Sequence, residues 1–116
     1  MKSILIVDDE QGFVLALEYM LQPAGYKIIT ASSGEDGLIR AKDNHPDIIL
    51  LDIMMPGMGG LEMLRFLKSH PLFKSIPVIL MSGARPLVRQ SEFKWSEFLD
   101  KPFSAETLLE TIEKLI

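Results

Sequence analysis

The chain has 116 residues, of which 47% are hydrophobic and 24% charged, and its formal net charge is −4. This length fits one domain with its own core and is too short for two. The acidic balance, without any run of Lys or Arg, excludes the electrostatic footprint of a nucleic-acid-binding protein, and the absence of Cys excludes disulfides and cysteine chemistry. No apolar stretch approaches the roughly 20 residues of a membrane span, so we expect a cytoplasmic protein.

Short apolar segments alternate with segments of helical spacing along the whole chain. Most of the apolar segments are continuous, which is typical of strands buried on both faces of a parallel sheet. In chain order we predict a strand at 4–7, a helix at about 11–22, a strand at 26–30, a helix at about 34–43, a strand at 48–51, a helix at about 60–69, a strand at 78–81, a short helix between 83 and 94, a strand at 95–99 and a helix at about 104–115.

Apolar spacing and capping residues predict the helices. Val14, Leu17 and Leu21 fall on one face of the first helix. Ser33 and Ser104 are suited to the N-cap positions of the second and the last helix, because a serine hydroxyl accepts a hydrogen bond from a free N–H group of the first turn.

The helical pattern is weakest between 83 and 94. Pro86 suits the first position of a helix, but only about two turns fit before the next strand. We therefore predict a short or displaced fourth helix. Five strands that alternate with helices imply right-handed crossovers and a three-layer, doubly wound α/β fold around a parallel sheet.

Polar residues follow four of the five predicted strands. Asp8 and Asp9 come after the first strand, Asp52 after the third, Ser82 after the fourth, and Lys101 just beyond the fifth. The carboxyl ends of parallel strands share one edge of the sheet, and ligands bind there, where the strand order reverses. If the order is 2-1-3-4-5, the first and third strands are neighbours and their acidic residues lie side by side.

Each of these residues also has a purely structural explanation. Asp9 could cap the first helix, Asp52 and Ser82 could be turn formers, and Lys101 could be an ordinary solvated charge. Unrelated caps and turns have no reason to meet at one edge of a sheet. Their convergence therefore favours a functional site.

The residue types at this edge indicate metal and phosphoryl chemistry. Three neighbouring carboxylates repel one another, and one becomes neutral unless a cation offsets them. An all-oxygen ligand set favours a hard ion such as Mg²⁺, which binds one or two carboxylates together with a phosphate oxygen. A carboxylate can act as a nucleophile that forms an aspartyl phosphate, with Lys101 and Ser82 stabilising the phosphoryl oxygens.

The chain resembles response-regulator receiver domains, the phospho-accepting modules of two-component signalling, over essentially its whole length. Four motifs carry the resemblance, and they are IVDDE at 6–10, LDIMMPGMGG at 51–60, MSG at 81–83 and DKPF at 100–103. As an ordered set these motifs are highly specific. The resemblance implies one receiver domain over 1–116, with a flavodoxin-like fold and the strand order 2-1-3-4-5.

The resemblance assigns the acidic residues to two roles. Asp52 is the phospho-acceptor and also a metal ligand. Asp9 binds Mg²⁺ directly, Asp8 binds it through water, and the main-chain carbonyl of Met54 is a further ligand. Mn²⁺ is a substitute for Mg²⁺ at such a site.

The remaining roles concern the phosphoryl group and the response to it. Ser82 matches the hydroxyl that moves toward the phosphate, Gly83 the small residue that leaves the site open, and Lys101 the lysine that pairs with the phosphate. Phe98 matches the aromatic residue whose rotamer couples the site to the output face, although plain packing is the alternative for it. The Lys101–Pro102 peptide bond is expected to be cis by analogy.

The sequence departs from the family pattern close to its fifth strand. Lys101 follows Ser82 by only 19 positions, about three fewer than the family pattern leads us to expect. The output surface normally lies in this region, so it is the part least transferable from the family. Phe98 stands where Tyr is commoner, so a switch there works through packing without a hydroxyl.

The resemblance implies a signalling switch that is not an enzyme in the usual sense. A histidine kinase or a histidine phosphotransfer protein would phosphorylate Asp52 in a Mg²⁺-dependent reaction, and the domain would slowly dephosphorylate itself. The alternative is a receiver-like docking module that works without phosphorylation. A phosphatase with an aspartyl nucleophile is disfavoured, because it needs a second Asp where Met54 stands. The apolar end at Leu115 and Ile116 suggests a homodimer or a following segment.

Overall fold

The computed structural model describes residues 1–83 and 95–116, and the short helix predicted between 83 and 94 lies outside these ranges. A single turn of 3-10 helix, Gln22–Ala24, follows the first α-helix. The strands and α-helices of the described ranges are β1 Ser3–Val7, α1 Gln11–Leu21, β2 Lys27–Ala31, α2 Gly34–Asn44, β3 Ile48–Asp52, α3 Gly60–Ser69, β4 Val78–Ser82, β5 Glu97–Asp100 and α4 Ala105–Leu115. None of these helices has the length and apolarity that crossing a membrane requires.

The five strands form one parallel sheet in the order β2-β1-β3-β4-β5. The order implied by the family resemblance is therefore confirmed. Strand order reverses between β1 and β3, which pair directly, with Val7 opposite Leu51. The residues that follow these two strands consequently emerge next to each other at one edge of the sheet.

The sheet is covered on both faces, so the fold has three layers. Leu5 and Leu51 point into a cluster with α2 and α3, whereas Ile4 and Leu50 point into a second cluster with α1 and α4, and all four side chains are completely buried. Burial on both faces explains why the strands read as continuous apolar runs. Each such side chain contributes roughly 1.5–3 kcal/mol when it leaves water, so the strands form a rigid base for the groups at their ends.

The strands extend further toward the functional edge than the sequence predicted. β3 includes Asp52, which pairs with Met81, and β4 includes Ser82, which pairs with Asp100. In both strands the last apolar residue comes one position before the last paired residue. The main chain continues the hydrogen-bonded ladder through a residue whose side chain is already polar. Asp52 and Ser82 are therefore the last residues of their strands, whereas Asp8, Asp9 and Lys101 follow the ends of β1 and β5. Trp95, predicted to open β5, lies before that strand.

Serine caps begin two helices as predicted, while the first helix begins differently. The Ser33 hydroxyl accepts the Asp36 N–H at 3.1 Å, and the Ser104 hydroxyl accepts the Thr107 N–H at 3.1 Å. The N-cap of α1 is Glu10, which makes no side-chain capping bond. Asp9 as the cap, an alternative open from the sequence, is therefore wrong.

Candidate functional site

A pocket of about 600 Å³ opens at the carboxyl edge of the sheet. Its walls come from the ends of β1, β3 and β4, from the residue after β5 and from the loop after β3. It is lined by Asp8, Asp9, Glu10, Asp52, Met54, Ser82, Gly83 and Lys101. The structure thus brings together seven of the nine residues predicted for the site, while Phe98 and Pro102 are not part of its lining.

Asp52 is held at the floor of this pocket by the main chain around it. It is the last residue of β3, and only 5% of its surface is exposed. The next residue, Ile53, donates its N–H to the Met81 carbonyl at 3.1 Å and accepts the Gly60 N–H at 3.1 Å. The Asp52 carboxylate therefore sits on a fixed support and points into a space that is open to solvent.

Lys101 links two of the acidic residues. Its Nζ lies 2.8 Å from Asp8 Oδ2 and 3.3 Å from Asp52 Oδ1. The main-chain N–H of Lys101 donates to the Ser82 carbonyl at 2.8 Å. This bond to β4 fixes the main chain from which the lysine side chain extends. The lysine side chain is only 16% exposed, and the pair with Asp8 is therefore poorly screened by water.

The pKa of Asp52 reflects both its burial and its charged neighbours. The pKa of Asp52 is raised from 3.8 to about 6, first by burial and then by the charge of Asp8, while the Lys101 ammonium opposes the rise. Burial by itself would lower the pKa of Lys101, but its bonds to Asp8 and Asp52 outweigh this, and its pKa is raised. Three carboxylates, those of Asp8, Asp9 and Asp52, lie close together near the ammonium of Lys101.

The acidic residues fit a hard divalent cation. Asp8, Asp9 and Asp52 each offer a carboxylate oxygen, and these three oxygens lie within 4.8 Å of one another. Asp9 is exposed, while the other two are buried. The ligand set contains only oxygen, which is the chemistry that Mg²⁺ prefers, and a divalent cation would supply the charge that Lys101 alone does not.

The loop after β3 is anchored by a residue that the sequence reasoning missed. Glu35, in the first turn of α2, accepts the Met58 N–H with Oε1 at 3.1 Å. Gly57 has a positive φ of 74°, and a Cβ there would meet Glu35 Oε2 at 3.3 Å. No sequence signal indicated this role, because an acidic residue in the first turn of a helix is already explained by the helix dipole.

The other predicted residues occupy distinct surroundings. Ser82 is 1% exposed. Within the described ranges, and apart from Gly83 and its chain neighbours, no atom lies within 4 Å of the position where a Cβ of Gly83 would be. Phe98 is half-buried, with its ring centroid 6.0 Å from that of Trp95. The Lys101–Pro102 peptide bond is cis.

Comparison with known proteins agrees with this geometry. Residues 4–113 match the family model described as response regulator receiver domain. The alkaline phosphatase synthesis transcriptional regulatory protein PhoP of Bacillus subtilis is 37% identical over 89% of this chain, which spans only 43% of PhoP. Protein PilH of Pseudomonas aeruginosa is 34% identical, with 100% of this chain and 98% of PilH covered.

A solved structure gives the same result at the level of the fold. The response regulator protein TrrA from Thermotoga maritima, solved in complex with Mg²⁺ and BeF, has a TM-score of 0.89 and 34% identity, with 100% of both chains covered. The match of the family model covers nearly all of this chain, from Ile4 to Glu113. The protein therefore belongs to the response regulator receiver domain family.

Proposed function

We propose that residues 1–116 form one receiver domain that takes a phosphoryl group onto Asp52 from a histidine kinase or a histidine phosphotransfer protein. The carrying observation is the arrangement of Asp52 beside Lys101 in an open pocket, with Lys101 Nζ 3.3 Å from Asp52 Oδ1. A nucleophilic carboxylate, a cation and a hydroxyl on neighbouring strand ends are the groups that phosphoryl transfer needs. Such a domain is a switch and not an enzyme that turns over a separate substrate.

The transfer uses groups that the fold already holds in place. An Asp52 oxygen attacks phosphorus in line with the P–N bond of the donor phosphohistidine, and the electron pair of that bond leaves with the imidazole nitrogen. Lys101 stabilises the negative charge on the transferred oxygens, and the Ser82 hydroxyl donates a hydrogen bond to one of them. Water later attacks the phosphorus of the acyl phosphate, which releases phosphate and restores the carboxylate.

A Mg²⁺ ion, or Mn²⁺ in its place, would offset the acidic charge and the charge on the phosphoryl oxygens when bound by Asp9, Asp52 and the Met54 carbonyl. Asp8 takes an indirect role through water in this proposal. Support comes from its two oxygens, which already accept hydrogen bonds from Lys101 at 2.8 Å and from the Glu10 N–H at 2.9 Å. TrrA, which was solved with Mg²⁺ and BeF, supports the choice of ion.

The response to phosphorylation runs through β5 in this proposal. New charge at Asp52 draws Ser82 and Lys101 toward the phosphoryl group, and Phe98, which lies on β5 three residues before Lys101, adjusts its packing. The half-buried state of Phe98 supports this role, because a side chain that is not locked into the core can change its packing. Such a switch works only if the two packings differ by a few kcal/mol and phosphorylation favours one of them.

The proposal also includes a cytoplasmic location and a homodimer. The acidic, cysteine-free chain fits the cytoplasm, where a kinase would reach it. The homodimer suggested by Leu115 and Ile116 stays a prediction. Both residues are half-buried and pack against the core cluster beside α1 and α4.

Phosphorylation with a small donor tests the assignment. The protein is incubated with acetyl phosphate and Mg²⁺, and the intact mass is measured. We expect the gain of one phosphoryl group, with no gain in Asp52→Asn or in the presence of EDTA, and an unchanged gain in the control Asp43→Asn, which alters an exposed acid of α2. Absence of the gain in the wild type, or its persistence in Asp52→Asn, would contradict the assignment. Partner binding that Asp52→Asn leaves unchanged would instead support the docking module.

A further inference from the structure

The ammonium of Lys101 has a third neighbour besides its two carboxylates. Its Nζ lies 4.2 Å from the centroid of the Phe13 ring, over the face of the ring. Phe13 belongs to the first turns of α1 and is half-buried. A cation within about 6 Å of an aromatic centroid is attracted by the electron-rich face, and the attraction grows where water is excluded.

The Phe13 ring is itself held in position by the segment that carries the lysine. The centroids of Phe13 and Phe103 lie 5.7 Å apart at an interplanar angle of 84°, an edge-to-face contact. Phe103 is two residues beyond Lys101, so the lysine and the support of its aromatic neighbour belong to one short stretch of chain. The ring thus has a defined orientation, with one face turned to the ammonium.

These contacts leave the ammonium little freedom. Asp8 and Asp52 bind it at 2.8 and 3.3 Å, and the Phe13 ring covers it at 4.2 Å. A lysine side chain otherwise has four rotatable bonds and turns toward water readily. Without the ring, water would reach the ammonium from the side of α1 and weaken its interaction with charge at Asp52.

We propose that Phe13 is a positioning residue for phosphorylation, acting through Lys101. This inference rests on the proposed function, because it concerns the lysine that stabilises the phosphoryl group. The aromatic face of Phe13, and not only its bulk, keeps the ammonium where it can stabilise the transferring phosphoryl oxygens. Phe13 touches neither the phosphoryl group nor the metal.

The test compares an apolar and an aromatic substitution. The rate constant for phosphorylation by acetyl phosphate is measured at fixed Mg²⁺ for wild type, Phe13→Leu, Phe13→Tyr and the control Phe66→Leu, which changes a 44%-exposed phenylalanine of α3. We expect a roughly three- to tenfold loss in Phe13→Leu. Phe13→Tyr, which keeps the ring, and Phe66→Leu should stay within about twofold of the wild type if the aromatic contact is the cause. Thermal unfolding confirms that every variant is folded.

A double-mutant cycle separates action through the lysine from a general packing effect. The affinity for beryllofluoride with Mg²⁺, a phosphoryl mimic, is measured in Phe13→Leu, Lys101→Met and the double variant. We expect Phe13→Leu to weaken binding when Lys101 is present and to have no further effect when it is absent. Additive losses in the cycle, or equal losses of rate in Phe13→Leu and Phe13→Tyr, would overturn the inference.

The outcome for the wild type separates the two proposals. If the wild type is phosphorylated at Asp52 and Phe13→Leu is phosphorylated at the same rate as the wild type, only the role of Phe13 is wrong. If the wild type takes up no phosphoryl group, the proposed function fails, and the role of Phe13 fails with it.

Discussion

Lys101 lies closer to Asp8 than to the proposed phospho-acceptor Asp52. Its Nζ is 2.8 Å from Asp8 Oδ2 and 3.3 Å from Asp52 Oδ1, and the Asp8 side chain has no exposed surface. Asp8 therefore anchors the ammonium, and Asp52 shares it. This arrangement holds the lysine beside the acceptor while leaving the second oxygen of Asp52 for other partners.

Removal of the Lys101 charge should destabilise the protein in the absence of Mg²⁺. Lys101→Met leaves the buried Asp8 and Asp52 without their cation, and we expect the free energy of unfolding to fall by about 2–3 kcal/mol, measured by urea denaturation in EDTA. The matched control is Lys114→Met, which removes a 2.9 Å pair with Glu97 whose lysine is 62% exposed. That exposed pair should contribute less than about 1 kcal/mol. Equal losses in the two variants would contradict the prediction.

Asp52→Asn should stabilise the metal-free protein in a pH-dependent way. The pKa of Asp52 is raised from 3.8 to about 6 in the folded protein. The folded state therefore holds this proton more tightly than the unfolded state does. The resulting stability is fully present below pH 3.8 and is lost as the pH rises through about 6. The side chain in Asp52→Asn does not ionise, so the free energy of unfolding of this variant does not fall in the same way as the pH rises. We expect it to match the wild type near pH 4 and to exceed it by about 1–2 kcal/mol near pH 7, once screening at the open side of the pocket is included.

Urea denaturation in EDTA across this pH range measures the difference between Asp52→Asn and the wild type. Adding Mg²⁺ should reduce it, because a bound cation favours the ionised carboxylate. A stability difference that is the same at every pH would show that the charge of Asp52 is not its cause.

Mg²⁺ should raise the thermal stability of the wild type more than that of Asp9→Asn. A ligand that binds only the folded protein stabilises it by about 1.4 kcal/mol at ten times its Kd. Asp9 is exposed, so its substitution should leave the fold intact while removing one carboxylate from the set that spans 4.8 Å. The check is the midpoint of unfolding with Mg²⁺ or EDTA, and equal metal responses in the two proteins would speak against Asp9 as a ligand.

Glu35 should affect metal binding although it lies outside the pocket. Its Oε1 accepts the Met58 N–H at 3.1 Å and so fixes the loop that carries Met54. We expect Glu35→Ala to weaken Mg²⁺ binding by roughly threefold to tenfold, because a support of this kind orients the ligands of the metal. Asp36→Ala is the control, since the Asp36 carboxylate pairs with the exposed Arg40 at 3.6 Å on the same helix. Titration calorimetry that shows equal affinities for both variants would reject this role.

Two helix glycines should respond to alanine in opposite ways. A Cβ at Gly60 would overlap the Asp52 carbonyl and lie 2.9 Å from the Ile53 Cα, whereas a Cβ at Gly12 would meet no other part of the described structure within 4 Å. We therefore expect Gly60→Ala to cost about 3 kcal/mol and to displace the end of β3. Gly12→Ala should stabilise the protein by about 0.5 kcal/mol, because alanine has less freedom to lose. Urea midpoints measure both effects, and a tolerated Gly60→Ala would show that β3 and α3 can separate.

Local patterns were enough to predict most of the described elements. The core face of α1 is buried at Val14, Leu17 and Leu21, and the two serine caps were correct. The strand ends were less accurate, since Asp52 and Ser82 continue the ladder. Polarity marks where a side chain leaves the core, but main-chain pairing decides where a strand ends.

The sequence by itself determined which polar residues would meet, because a parallel sheet brings the ends of β1, β3, β4 and β5 to one edge. Only the tertiary structure decided how they share their charge. It placed Lys101 closer to Asp8 than to Asp52 and brought Phe13 and Glu35 to the site from other elements. Such contacts depend on distances of a few ångströms between segments that are far apart in the chain. Local residue patterns do not predict those distances.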